Sequence, residues 1–353
     1  VIVLRKLAIG LTAGLLLAAV AGCAQLGYLS QSVGGHLRLM ASAQPVAQLV
    51  QDPQTSPELR ERLVLSQRMR DFSVQQLHLP DNDSYRRYAD LQREAVVWNV
   101  VATPELSLML KTWCFPVMGC VGYRGYFDKA EAQAYAQSLQ AEDSELEVLV
   151  YPVPAYSTLG WSNWMGGDPL LSSFIRYPEG ELAGLIFHEL AHQVAYAADD
   201  TAFNEAFATA VERRGAQAWL AQAGSPQARE AYQARQLRRE QFRALTGRYR
   251  AQLQAIYSGP QTPTEKRRAK AELMQALRAE PGLEAWGARA NNASFALLSA
   301  YTELSPAFEA LLDAHGCDWP RFYAEVQRLA ALPKSQRQQQ LLLLATPKHQ
   351  PGD

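Results

Sequence analysis

Gly184-Leu-Ile-Phe-His188-Glu189-Leu-Ala-His192-Gln-Val-Ala-Tyr196, followed by Asn204-Glu205-Ala-Phe-Ala208, is the stretch that decides how this chain reads. Leu182, Leu185, Ile186, Leu190 and Val194 recur at helical intervals, so the first segment is expected to be a helix with an apolar face. Residues four apart share a helix face, so His188 and His192 can offer two imidazole nitrogens to one ion, with Glu189 beside them. Asp199, Asp200 and Thr201 break helices and cap new ones. The first helix is therefore expected to end near Ala198, and a second to start near Ala202 and fold back across it. That turn would deliver Glu205 to the same point. Two histidines and a carboxylate hold one zinc ion and leave a fourth position for water, the open arrangement of a catalytic site. Glu189 is placed to take that water's proton. The competing reading is a buried helix whose histidines pair with Glu189 or Glu205 and bind nothing. The number of ligands and the short turn between them favour the metal.

Three runs around this core carry a resemblance: Ala155-Tyr-Ser-Thr-Leu-Gly-Trp161, Arg176 to His192, and Asp200-Thr-Ala-Phe-Asn-Glu-Ala-Phe-Ala208. With the upstream blocks Leu79-Pro-Asp-Asn-Asp-Ser-Tyr85, Val97-Trp-Asn-Val100 and Trp113 to Phe127, the chain resembles the bacterial family of predicted zinc aminopeptidases from about Tyr28 to the segment around Phe322. The resemblance implies His188, His192 and Glu205 as ligands, Glu189 as base, and a peptide as substrate. Two departures stand out beside the wider group of zinc peptidases with two histidines and a glutamate. Many of them carry an aspartate four residues after the glutamate ligand, where it holds one histidine from behind; Thr209 stands there in this chain. Glu212, two turns after Glu205 on the same face, either supplies that carboxylate or is a solvated surface residue. The G-x-M-E-N sequence with which large aminopeptidases grip a free amine is absent, so exopeptidase activity is implied by the family alone.

The first residues point to the place of action. Arg5 and Lys6 precede an apolar run from Leu7 to Val20 and then Ala21-Gly22-Cys23, the pattern of a bacterial lipoprotein signal. The run is shorter than the roughly twenty residues that a membrane-spanning helix needs. Residues 1–22 are expected to be removed and Cys23 to carry lipid; the alternative is an uncleaved anchor helix. Ala24, rather than aspartate, implies sorting to the outer membrane, facing the periplasm. Cys114 and Cys120, six apart, are expected to form a disulfide in that oxidising compartment, the alternative being two buried free thiols. Cys317 is left over as a buried thiol.

A net charge of -1, with 48% hydrophobic and 20% charged residues, indicates neither disorder nor a nucleic-acid partner. No internal repeat is visible. Tyr28 to Val50 reads as one helix, and Pro57 suits the first position of a second. Ser84 to Leu91 reads as a short helix; Glu94 to Val101, Gly122 to Phe127 and Leu146 to Val153 read as strands, with a helix at Lys129 to Gln140. Gln227 to Tyr257 reads as a long amphipathic helix, Ser258 to Thr264 as a linker, and Glu265 to Ala279 as another helix. A last helical section starts at Asn291.

The expected fold is thus α+β and mostly α-helical: a zincin-like metallopeptidase core with a small mixed sheet over the metal helix, and long C-terminal helices. One domain spans 23–345, helical to about 93, with sheet and metal site over about 94–222 and helices over about 223–345; 346–353 form a disordered tail. Ala155 to Trp161 is a candidate for the edge strand that pairs with substrate, or a plain turn. Trp161, Trp164 and Phe174 either wall a specificity pocket or are core. Tyr156 leads the candidates for stabilising the oxyanion, ahead of Tyr123, Arg124, Tyr301 and His315. Internal cleavage of peptides and a non-enzymatic scaffold in the envelope are the other readings.

Overall fold

The computed structural model describes residues 27–115, 119–155, 157–158, 163, 166–198, 200–302 and 304–345. The signal-like segment with Cys23, the tail after 345, Tyr156, Trp161 and Trp164 lie outside the described residues. What is described is mostly helical with small sheets, in keeping with the α+β expectation.

Residues 27–42 form helix α1, which stops short of the expected Val50. Pro45 explains the break, because its ring clashes with a helical carbonyl and pushes the preceding residue into extended backbone. Gln44–Pro45 becomes strand β1, and Val46–Gln51 follows as α2. In α3, Pro57–Gln75, Pro57 occupies the first turn and the Ser56 side chain accepts from Leu59 N–H.

The helix expected over Ser84 to Leu91 is absent. Tyr85 takes φ 65°, which no helix tolerates, and Arg87–Ala89 is strand β2, antiparallel to β1 and parallel to β8, Leu170–Leu171. A second sheet is wholly antiparallel: β3, Val97–Pro104, lies between β6, Arg124–Tyr126, and β7, Leu146–Val153, with register running from Val97↔Val153 to Pro104↔Leu146. Strands β4, Trp113–Phe115, and β5, Gly119–Val121, pair as a hairpin in which Cys114 and Cys120 are cross-strand partners joined by a disulfide. Three small sheets therefore replace the single one expected. Helix α4, Lys129–Glu142, covers the second sheet by burying Ala132, Ala136 and Leu139 against Trp98, Val100 and Ala102.

The main core gathers α3, α5 (Glu179–Ala191), α6 (Thr201–Ala223), α11 (Ser305–Ala314) and α12 (Trp319–Ala330). Phe174 is fully buried in it as a core residue. Helices α7 (Pro226–Ser258), α8 (Pro263–Arg278) and α9 (Glu284–Gly287) build a second cluster. The linker before α8 is shorter than expected, since Thr262 and Glu265 form a capping box that starts the helix at Pro263. Helix α10, Asn292–Thr302, packs on α6, β3 and β7 and so joins the antiparallel sheet to α6; α13, Lys334–Ala345, closes the fold against α11. Cys317 is exposed rather than buried, because it sits at φ 60° in the turn after α11.

Candidate metal centre

Helix α5 carries the first two donors. Glu179 and Glu181 in its first turn suit the positive end of the helix dipole, and Leu182, Ala183, Ile186, Phe187, Leu190 and Ala191 are fully buried. Its last residue is Ala191, about two turns before the expected Ala198, yet His192 keeps helical dihedrals and its N–H still bonds the His188 carbonyl. The two histidines therefore remain on one face.

The return to α6 is fixed by two side chains. Asp200 caps the helix by accepting from Phe203 N–H, and Arg337 Nη1, brought from α13, donates to the other Asp200 oxygen at 2.5 Å. Asn204, immediately before the expected third ligand, clamps the connecting loop: its Oδ1 accepts from Ala197 N–H at 2.8 Å and its Nδ2 donates to Ala197 O at 2.9 Å. Gly184 lets the two helices close up, since a Cβ there would lie 3.0 Å from Glu212 Cγ.

These constraints place Glu205 Oε2 3.4 Å from His188 Nε2 and 3.9 Å from His192 Nε2. One donor atom from each of the three residues lies within 4.8 Å of the other two. Tetrahedral zinc with bonds of 2.0–2.1 Å separates its ligand atoms by roughly 3.3 Å, so the donor set and its spacing fit one such ion. Both histidines are buried, while Glu189 and Glu205 are half-buried.

Behind the donors, Glu212 Oε2 lies 3.1 Å from His188 Nδ1, and Arg239 Nη1 lies 3.8 Å from the other Glu212 oxygen. Thr209 is buried. A carboxylate thus reaches the first histidine from seven residues beyond Glu205, one helical turn further along than the position Thr209 fills. His192 Nδ1 is buried and has no hydrogen-bond partner among the described residues.

Charge coupling is strong. Burial pulls the His188 imidazole down, but hydrogen bonds to Glu205 and Glu212 outweigh it and hold its pKa well above the ordinary value. Burial also acts against Glu205 and Glu212, and their bonds to His188 keep both carboxyls below the usual range. His192 goes the other way, lowered to about 4 by burial. Burial, reinforced by Glu205, raises Glu189 to about 7. That affinity for protons belongs to the ion-free site, and a dication held by the three donors would lower it.

Of the oxyanion candidates, Tyr156 and the Tyr301 side chain lie outside the described residues. Arg124 is committed elsewhere, its guanidinium 4.0 Å above the Tyr28 ring and 4.4 Å from that of Tyr135, and His315 sits after α11 within the field of Glu325. Tyr123 lies within the electrostatic reach of Glu205: burial, and next the Glu205 charge, raise its pKa well above 10, with Tyr151 and Tyr196 adding to the effect. In the proposed substrate segment, Ala155, Ser157 and Thr158 belong to no strand, and Thr158 instead donates to Asp168 through Oγ1 at 2.8 Å and through its backbone N–H at 3.0 Å.

Sequence reasoning assigned no role to the loop before β2. Asn82 Nδ2 donates to Gln193 Oε1 at 2.7 Å and Gln193 Nε2 donates to Ser84 Oγ at 3.1 Å, which sews the loop to the residue after His192. Gly167, at φ 67°, packs its α-carbon against the Ser84 backbone, where a Cβ would meet Ser84 N at 2.3 Å. Tyr85 N–H donates to Asp168 O at 2.6 Å, and the Tyr85 ring is buried beside Glu189 and Asp168, whose charges raise its pKa further after burial. Its hydroxyl has no hydrogen-bond partner among the described residues. The Leu79 to Tyr85 block was visible in the sequence, but a left-handed tyrosine has no periodic signal to announce it.

No curated protein and no solved structure matches the chain. A family model does, and it takes in every residue of the centre just described. Across residues 27–341 the chain matches, and belongs to, the family described as "Putative aminopeptidase".

Proposed function

We propose that this chain is a zinc-dependent aminopeptidase of the zincin type, held on the bacterial envelope by lipid on Cys23 and facing the periplasm from the outer membrane. The observation that carries the reading is the convergence of His188, His192 and Glu205 at a spacing that fits one zinc ion. Membership of the aminopeptidase family supports a peptide as substrate.

His188, His192 and Glu205 would hold the ion. Zinc bound there supplies a Lewis acid that polarises the scissile carbonyl and eases ionisation of water. The chain's own residues do the rest. Glu189, beside the donors on α5 and kept ionised by the ion's charge, takes the proton of the attacking water and returns it to the departing amine. No covalent intermediate forms. Tyr123, which lies within the electrostatic reach of Glu205, is the described candidate taken here as donor to the developing oxyanion. Glu212 holds His188 in the tautomer that presents Nε2.

Two measurements test the reading. Purified protein should contain about one zinc per chain, and Glu189→Gln should keep the metal while losing turnover by about a hundredfold or more. Peptides with free and acetylated amino termini then separate the modes of cleavage. An aminopeptidase acts on the free series alone, while cutting of acetylated peptides would make the enzyme an endopeptidase. A protein that binds no zinc and cuts neither series is a scaffold.

A further inference from the structure

Helix α1 is apolar on two sides, and one of them is left exposed by the described residues. Its inner side is pinned to the antiparallel sheet. Tyr28 stacks on Phe115 and meets Tyr126 edge-on, each at 5.5 Å, Gly35 lies so close to the Phe127 ring that a Cβ would overlap it, and Gln31 accepts from Phe127 N–H and donates to Gly125 O. Leu39 and Met40 are buried. On the outer side Leu29, Val33 and Leu37 are 41%, 58% and 51% exposed. Spaced by four, they form one row along the helix. Among the described residues few large apolar side chains are this exposed, and no other helix carries three of them in a row.

The occupant follows from the chain before the helix. Cys23 stands four residues ahead of Gly27, and four residues span at most about 14 Å. Lipid on Cys23 would therefore hold the first turn of α1 at the bilayer surface. We infer that the row Leu29, Val33, Leu37 lies in the headgroup and acyl boundary of the membrane, so that α1 acts as an interfacial helix that fixes the orientation of the metal centre above the bilayer. This rests on the proposed lipidation of Cys23. Row and anchor act together, since one apolar contact binds membranes marginally and a second signal makes the attachment firm. A second copy of the chain would cover the row equally well, but nothing ties it to this end of the protein, whereas the lipid is delivered there.

The test uses the full chain, reconstituted into vesicles of phosphatidylethanolamine and phosphatidylglycerol, in a Cys317→Ser background. Val33→Cys and Leu37→Cys, exposed positions that tolerate a smaller side chain, carry an environment-sensitive fluorophore; Val64→Cys and Leu237→Cys serve as exposed controls on α3 and α7. Spin-labelled lipid should quench the first two by about half or more and leave the controls unchanged. Intact mass reads acylation of Cys23 separately. An acylated, vesicle-bound protein whose Val33 probe is not quenched overturns the inference and spares the anchor. A protein without acyl chains overturns both. Efficient cross-linking of Val33→Cys between two chains on the membrane assigns the row to a second copy and also overturns it.

Discussion

Glu212 Oε2 stands 3.1 Å from His188 Nδ1, whereas the equally buried Nδ1 of His192 meets no partner among the described residues. The two histidines of the centre are therefore held unequally. A hydrogen bond on the far nitrogen fixes the tautomer and strengthens the near one as a donor. Glu212→Gln should weaken zinc binding by about 10- to 100-fold, read by competition with a coloured chelator. Arg239→Ala, which touches only the outer oxygen of Glu212, should cost less. Equal affinity in Glu212→Gln and the parent protein would show the contact to be idle.

Zinc affinity should rise with pH. A pKa raised above the ordinary value means that the metal-free protein keeps the proton on His188 to higher pH, and zinc needs that nitrogen bare. Glu189, at about 7 without the ion, should also lose its proton when a dication arrives nearby. Calorimetry at pH 6.5 in buffers of different ionisation heat should record release of more than about one proton per zinc. Glu212→Gln should lower that number, because His188 then loses one of the two carboxylates that hold its proton. A release that is the same in both proteins contradicts the assignment.

Arg337 and Asp200 join the last helix to the cap of the ligand-bearing helix α6, and both are nearly inaccessible. Removing one partner of such a pair leaves the other charge buried and alone, at a cost of about 3–5 kcal/mol. Arg337→Ala should therefore lower the urea midpoint sharply. Arg337→Met combined with Asp200→Asn, which keeps a capping side chain, should recover a large part of the loss. A double variant as unstable as the single one would place the energy in packing against Phe203, over whose ring the guanidinium lies at 5.0 Å.

Thiol chemistry separates the cysteines. Cys114 and Cys120 are bonded to each other across the β4–β5 hairpin, while Cys317 is exposed beside Arg214 Nη2, which lies 3.3 Å from its sulfur. A maleimide added to the folded, non-reduced protein should label Cys317 and leave the hairpin pair untouched until a reductant is supplied. Peptide mapping of the adduct checks it.

The centre was legible in the sequence because its information is local. Spacing of four put His188 and His192 on one face, and the run Asp199-Asp200-Thr201 announced the turn that carries Glu205 back. Glu212 could be named as a candidate and not chosen, since helix periodicity fixes a face but not the distance between two helices; the approach at Gly184 sets that distance. Most of what failed was non-local. The strand at Arg87–Ala89 depends on β1 and β8 pairing with β2 across long stretches of chain, and Tyr85 can hold its left-handed backbone because the Asp168 carbonyl accepts its N–H; the break at Pro45, by contrast, was a local signal passed over. The Arg337–Asp200 pair spans 137 residues, which no window of sequence can see.

Tyr85 gives the sharpest separation of stability from turnover. Its φ of 65° is a costly conformation for a bulky residue, and its buried hydroxyl lacks a partner, a second cost of about 1–3 kcal/mol. Backbone bonds to Asp168 O and from Gln67 Nε2 hold it in place against both. Such strain is retained where a site uses it, and the charge that most raises the Tyr85 pKa after burial is that of Glu189. Tyr85→Phe keeps the ring and removes the unpaired group, so unfolding free energy should stay level or rise by about 1 kcal/mol. In the same variant a fall in kcat of about tenfold with KM little changed is the outcome expected of a hydroxyl that influences Glu189, in whose field it lies, rather than substrate binding. Loss of stability in Tyr85→Phe would mean that the hydroxyl has a structural partner. Unchanged kcat would leave the strained tyrosine a packing residue.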